Sequence, residues 1–193
     1  MQENSNNPLT PGQYDLWLEQ QLYPEDNSNH FHFVAKIHEE MDLDALQKAI
    51  WHLTEHHEAI RTIFSVENEA PARQIIQPTE IKLQIQESLH LSEEEVKSLI
   101  QKNFEKPFNL SYEPPCRFFL YQRSALEYYF QIVVHHIATT LNGYTRLPLE
   151  LARLYISERD KRKPGLFKQE ISYSNFVEKY QEYFQSNKCT TDK

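Results

Sequence analysis

The chain of 193 residues contains few glycines and cysteines. Its three glycines, Gly12, Gly143 and Gly165, are too few and too widely spaced for a glycine-rich phosphate-binding loop. Its two cysteines, Cys116 and Cys189, cannot form the disulfide framework of a small secreted domain, so we expect reduced thiols. These shortages exclude a P-loop, a dinucleotide fingerprint and a disulfide scaffold.

Long apolar runs and an excess of positive charge are missing as well. No stretch is long enough to cross a bilayer, and the polar residues 1–8 do not resemble a signal peptide. The net charge of −8 disfavours nucleic acid and anionic membranes, because both require a basic protein surface. We therefore predict a cytoplasmic protein that binds neither nucleic acid nor a membrane.

The remaining composition is that of one folded domain. Hydrophobic residues make up 39% and charged residues 25%, which is ordinary for a globular protein. The predicted limits are a disordered tail at 1–8, a folded region at 9–187 and a C-terminal tail at 188–193.

Hydrophobic periodicity predicts helices that alternate with strands. Helices are expected after the capping residues Thr10, Asp42 and Ser92, and again from Ser172. The predicted strands are 30–38, 61–66, 74–77, 81–86, 117–122 and 128–134. This order predicts an α/β fold, a two-layer sandwich in which a mixed, mainly antiparallel sheet is packed by helices.

Pro148 constrains one further helix. A proline beyond the first turn would remove a backbone hydrogen bond and kink the helix. The sequence therefore predicts a helix that begins between Gly143 and Arg146 and ends near Arg159.

Two adjacent histidines, His135 and His136, end the apolar strand that contains Val133 and Val134. Strand ends are positions where a rigid scaffold presents reactive side chains. Neighbouring strand residues point to opposite faces, so one ring is expected in the core and the other outside it. An imidazole suits proton transfer because its pKa lies near neutral pH.

Five segments resemble motifs of the condensation domains of nonribosomal peptide synthetases, which belong to the chloramphenicol acetyltransferase-like superfamily. The segments are Leu9–Trp17, His56–Phe64, Pro107–Leu110, His135–Leu141 and Tyr173–Val177. The fourth resembles the signature His-His-x-x-x-Asp-Gly, with Thr140 in place of Asp and Leu141 in place of Gly. The motifs follow the family order and cover nearly the whole chain, but only the first half of the family's domain.

The substituted motif positions affect the implied site. Segment 56–64 resembles Arg-His-Glu-x-Leu-Arg-Thr-x-Phe, with His57 and Arg61 at matching positions and His56 in place of the first Arg. The resemblance implies that the family's Asp pairs with an arginine, so the losses at Thr140 and His56 are mutually consistent. If the family's Gly provides positive φ or close substrate approach, Leu141 would strain or plug the site.

The resemblance implies a single chloramphenicol acetyltransferase-like lobe. It implies that His136 positions or deprotonates the amine that attacks a thioester, and that His135 gives structural support. It implies no metal and no bound cofactor; the phosphopantetheine arm of a carrier protein would tether the substrate. The implied partners are a peptidyl or acyl carrier protein and a second condensation lobe or adjacent synthetase domain. A homodimer is also expected, because the face toward a second lobe should be partly apolar.

Three functions remain open at this point. The favoured one is a truncated or degenerate acyltransferase lobe, inactive alone, that acts in assembly or within a larger domain. The second is amide-forming condensation of carrier-bound thioesters once a second lobe completes the tunnel. The third is a non-catalytic docking module for a carrier protein or a neighbouring domain. The first is favoured because half a tunnel cannot orient two substrates.

Other polar clusters favour structural roles. His52 and His56 lie one helical turn apart, but no third metal ligand is evident. His57, Glu58 and Arg61 are of the types that form local charge-assisted hydrogen bonds.

Overall fold

The structure, a computed structural model, describes residues 9–67, 70–163 and 172–191. The helices are α1 (Pro11–Leu22), α2 (Leu43–His56), α3 (Glu93–Glu105), α4 (Leu141–Arg159) and α5 (Tyr173–Thr191). The strands are β1 (His30–Ile37), β2 (Thr62–Glu67), β3 (Ala70–Ile75), β4 (Leu83–Glu87), β5 (Cys116–Ser124) and β6 (Glu127–His135). Short 3-10 turns lie at Glu58–Arg61, Pro78–Glu80 and His136–Ala138.

A four-stranded sheet in the order β1-β6-β5-β4 forms the centre of the fold. The pairs β1–β6 and β5–β6 are antiparallel, and β4–β5 is parallel. Strands β2 and β3 form a separate antiparallel ribbon. The predicted α/β architecture with a mixed, mainly antiparallel sheet is confirmed.

Helices cover both faces of this sheet. Alternate residues of β5 and β6, such as Phe118 and Phe130, pack with α2 and α4. Their neighbours, such as Phe119 and Tyr129, pack with α1 and α3. Both faces of these strands are apolar, so each needs a helical cover. The mixed sheet is therefore packed by helices, as the sequence predicts.

Helix α4 begins earlier than predicted. The Thr140 hydroxyl accepts the Gly143 N–H at 3.3 Å and caps a helix that starts at Leu141. Pro148 therefore lies inside the helix rather than in its first turn. The prediction considered the missing N–H of Pro148. It did not consider that the Thr140 cap can bind a backbone N–H of an earlier first turn. Packing of α4 on α2 keeps the helix intact around the proline.

Two predicted boundaries also differ from the structure. The strand expected at 74–77 is Ala70–Ile75, because it pairs along its whole length with β2. Helix α5 continues to Thr191, past the expected end at residue 187. The tail predicted at 1–8 lies outside the described residues, and the domain limits remain a prediction. Cys116 is a buried free thiol, and the Cys189 side chain is not described.

Among the described helices, none combines the length and apolarity needed to cross a bilayer.

Candidate functional site

His135 and His136 point to opposite faces of the sheet. His135 ends β6 with no exposed surface, on the face covered by α1 and α3. His136 opens the following 3-10 turn and is only partly buried. Its ring lies 5.2 Å from the ring of Phe31, on the face covered by α2 and α4. The structure therefore separates a fully buried histidine from a partly exposed one.

The hydrogen-bond partners of His135 determine which of its ring nitrogens carries the hydrogen. Gln20 donates its amide N–H to the Pro24 carbonyl at 3.0 Å, so its Oε1 faces His135 Nε2 at 3.1 Å. That oxygen can only accept, so Nε2 carries the hydrogen, and Nδ1 accepts the Ile137 N–H at 3.1 Å. Burial, together with the neighbouring His30 and His136, lowers the pKa of His135 to about 3. The ring is therefore neutral at physiological pH.

His136 has the opposite tautomer. Its Nδ1 lies 2.7 Å from the Thr139 carbonyl oxygen, which can only accept, so Nδ1 carries the hydrogen. In the neutral ring, Nε2 then has a free lone pair. A general base needs this form of imidazole.

The surroundings of His136 fix its place on the sheet. Its backbone N–H donates to the Asn29 carbonyl at 2.8 Å. The ring of Tyr144, on α4, lies 5.4 Å from the ring of Phe31. The Tyr144 hydroxyl donates to the His32 carbonyl, and burial raises the pKa of that hydroxyl, so it remains a donor. Sequence reasoning missed Tyr144, although an aromatic residue one turn into a helix beside a candidate base is a usable signal.

The substituted motif positions lie at the start of α4. Thr140 is exposed and acts as the helix cap. Leu141 is the first helical residue, and among the described non-glycine residues only Lys161 has positive φ. The expectation that Leu141 strains the backbone is therefore wrong, because this position belongs to a helical first turn. The Leu141 side chain lies outside the described residues, and so does its predicted plugging of the site.

His57 and Arg61 bind neighbouring elements. His57 pairs with Glu150 of α4. Arg61 donates to two backbone carbonyls, at 2.8 and 2.6 Å, and so joins the end of α2 to the residue that follows β3. Glu58 accepts the backbone N–H and the hydroxyl of Ser174 on α5. These contacts join helices and strands, which supports the structural interpretation of the cluster.

The histidines of α2 are engaged by other side chains. His52 Nε2 lies 3.2 Å from a carboxylate oxygen of Glu158, and the rings of His56 and His57 are 4.9 Å apart. Within the part of the chain that the structure describes, no three His, Cys, Asp or Glu residues are grouped to hold a metal.

Arg117 packs against Phe108, whose ring contacts His135. The sequence alone did not predict this arrangement. The Arg117 guanidinium lies 3.9 Å from the ring centre of Phe108 and pairs with Glu113 at 2.7 Å. The Phe108 ring in turn meets His30 and His135 edge-on, at 4.9 and 6.0 Å. A buried cation thus packs on an aromatic ring, and that ring contacts His135.

Two grooves border α4. One, of about 370 Å³, borders the turn after His136 and includes Thr139, Gly143 and Arg146 in its lining. It reaches the turn rather than the imidazole. The other, of about 470 Å³, is mainly apolar and lies between β1 and α4, where Leu149 and Ile156 are exposed.

Comparison with known proteins gives a family match. A family model described as "Condensation domain" matches residues 3–193. A linear gramicidin synthase of Brevibacillus parabrevis is 30% identical over 176 residues, 88% of the chain and 3% of that protein. Bacitracin synthase 3 of Bacillus licheniformis is 29% identical over 183 residues, 93% of the chain and 3% of that protein. The chain thus spans a small fraction of these relatives.

Solved structures share the fold. The X-domain from teicoplanin biosynthesis aligns with a TM-score of 0.84 and 21% identity, over 97% of the chain and 40% of that structure. The starter condensation domain of rhizomide synthetase RzmA aligns with a TM-score of 0.81 and 17% identity, over 91% of the chain and 43% of that structure. The predicted chloramphenicol acetyltransferase-like fold is confirmed.

Proposed function

The chain belongs to the condensation domain family, and we propose on that premise that it is one lobe of such a domain and does not condense substrates alone. Two observations support a single lobe. The chain spans about two fifths of the solved domains that share its fold. An apolar groove with exposed Leu149 and Ile156 also leaves a face for a second lobe to cover.

The orientation of His136 carries the proposal. The Nδ1 hydrogen is committed to the Thr139 carbonyl, so Nε2 is the atom that can accept a proton. In a completed domain, an amine nitrogen attacks a thioester carbonyl while His136 Nε2 positions the amine and takes its proton. The carbon–sulfur bond breaks, and the departing thiolate receives that proton as a thiol. An amide bond is formed without another reactant.

The proposed partners follow from this chemistry. The thioester is carried on the phosphopantetheine arm of a peptidyl or acyl carrier protein, and this arm is a substrate tether rather than a bound cofactor. A second condensation lobe, or an adjacent synthetase domain, completes the cleft. A cytoplasmic location and a homodimer remain predictions.

Thr140 favours a second candidate, a docking module without chemistry. Where the family's signature has an Asp, this chain has an exposed, uncharged hydroxyl that caps α4. Thr140 can provide the cap but not a carboxylate for an ion pair. A lobe that keeps its fold and loses this charge could still bind a carrier protein or a neighbouring domain.

One experiment separates these possibilities. Amide formation from a carrier-bound thioester and an amine is measured with the chain alone and with a separately expressed second lobe. We expect product only with both lobes, and at least about a tenfold loss in His136→Ala. The matched control is His90→Ala, which removes an exposed histidine far from the site.

Each outcome has a defined meaning. Product from the chain alone would refute the need for a second lobe. Product that persists in His136→Ala would remove that residue from the chemistry. Carrier binding without product in either arrangement would favour the docking module.

A further inference from the structure

Helix α1 buries a polar stripe. Its buried residues are Gln13, Trp17 and Gln20, spaced so that they share one helix face. A buried amide is costly unless its donors and acceptors are paired. The partners of these two amides therefore indicate what this face of α1 does.

Gln20 holds the ring of His135. Its amide is oriented by the Pro24 carbonyl, and its oxygen accepts the His135 Nε2 hydrogen at 3.1 Å. With Nε2 protonated, Nδ1 of that ring is left to accept the Ile137 N–H. Gln20 therefore sets which atom of His135 faces the turn that follows His136.

Gln13 binds the other backbone polar group of the same residue, Ile137. Its Oε1 accepts the Thr10 N–H at 3.1 Å, so its Nε2 faces the Ile137 carbonyl at 3.4 Å and the Tyr173 hydroxyl. Both backbone polar groups of Ile137 are thus bound by side chains. Ile137 directly follows His136 in the chain.

We propose that Gln13 and Gln20 are positioning residues for His136. Gln13 acts on the carbonyl of Ile137, and Gln20 acts on its N–H through His135. Together they fix the two peptide groups that flank Ile137, the residue after His136, and with them the direction in which the imidazole presents Nε2. The link from this orientation to chemistry rests on the proposed function; the positioning itself does not.

The test uses long-range ¹H–¹⁵N spectra of the histidine rings in the full chain. The protein has nine histidines, and His136→Ala identifies the signals of that ring. The wild-type chain should show one tautomer for each ring, Nε2–H for His135 and Nδ1–H for His136. In Gln20→Leu and Gln13→Leu, the His136 ring should lose its single tautomer and show averaged shifts. Gln21→Leu, which changes the exposed neighbour on α1, should leave both rings unchanged.

A conservative variant separates positioning from packing. Gln20→Glu keeps an oxygen that accepts the His135 Nε2 hydrogen, so the His136 tautomer should be retained. The new carboxylate should also raise the pKa of His135 above its value of about 3, because an opposite charge favours the protonated ring. If packing alone mattered, the buried charge of Glu would disturb the site more than Leu does.

One result is decisive. Unchanged His136 signals in folded Gln13→Leu and Gln20→Leu would overturn the proposal. If Gln20→Leu does not fold, unchanged His136 signals in Gln13→Leu would still overturn it.

The proposed function can be refuted without refuting the positioning role. With a second lobe present, both Leu variants should lower kcat about tenfold with KM nearly constant, because orientation rather than binding is lost. The ring spectra could change in the Leu variants while the condensation rate is the same in wild type and His136→Ala. That result would support the positioning role of the two glutamines and refute the catalytic role of His136.

Discussion

His135 and His136 are chemically identical neighbours that the fold places in opposite conditions. His135 is fully buried, both of its ring nitrogens are bonded, and its pKa is lowered to about 3. His136 is partly buried, and one ring nitrogen is committed to the Thr139 carbonyl. The difference arises because successive residues of a strand point to opposite faces of the sheet, and β6 ends at His135. The motif therefore combines a support and a candidate base in two consecutive residues.

The largest expected effect tests whether His135 stabilises the fold more than His136 does. His135→Phe keeps an aromatic ring but leaves the Gln20 oxygen and the Ile137 N–H unpaired in the core. We expect a loss of about 3 kcal/mol in the free energy of unfolding. His136→Phe, the matched change at the partly buried ring, should cost less than about 1 kcal/mol. Urea denaturation measures both; equal losses would contradict the comparison.

The second effect concerns pH. The pKa of His135 is lower in the folded chain, so between pH 6.5 and about 3 only the unfolded chain binds this proton. Stability should therefore fall as pH drops below 6.5, by about 1.4 kcal/mol per pH unit from this group. At pH 5 the wild type should have lost about 2 kcal/mol more than His135→Phe, since that variant lacks the group. Parallel stability curves for the two proteins would show that His135 is not buried in its neutral form.

The smallest effect concerns the cap of α4, which lies next to the Thr139 carbonyl that binds His136. Thr140→Ala removes the cap of α4 and should cost about 1 kcal/mol, whereas Thr140→Asp should cost almost nothing because Asp also caps well. Ring spectra of Thr140→Ala should shift for His136 and not for His135, because the capped turn supplies the Thr139 carbonyl. Equal shifts in both rings would show that the Thr139 carbonyl does not act selectively on His136.

Local signals predicted much of the fold. The capping box at Ser92 and the apolar hairpin of β5 and β6 are encoded within short stretches, and both are observed. The start of α4 was misplaced because two local signals, the cap at Thr140 and the break at Pro148, conflict. In the folded chain α4 starts at the cap, includes the proline and packs against α2.

The candidate site was only partly predictable. The histidine pair is a contiguous signal, and its division between two faces follows from strand geometry. The support from α1 has no such signal, because Gln20 contacts a ring 115 residues away in the chain. Two of the three buried residues of α1 are amides, so the apolar periodicity that marks a buried helix face is weak in this helix.

The pairing of β1 with β6 has a consequence for the chemistry of the turn. In the observed register His30 lies opposite His135 and Phe31 opposite Val134, which leaves the Asn29 carbonyl for the His136 N–H. A slip of one residue would move Phe31 to the far face of the sheet and bring a histidine beneath the imidazole instead. The alignment of two strands thus determines whether His136 rests on a hydrocarbon ring or on a second titratable group.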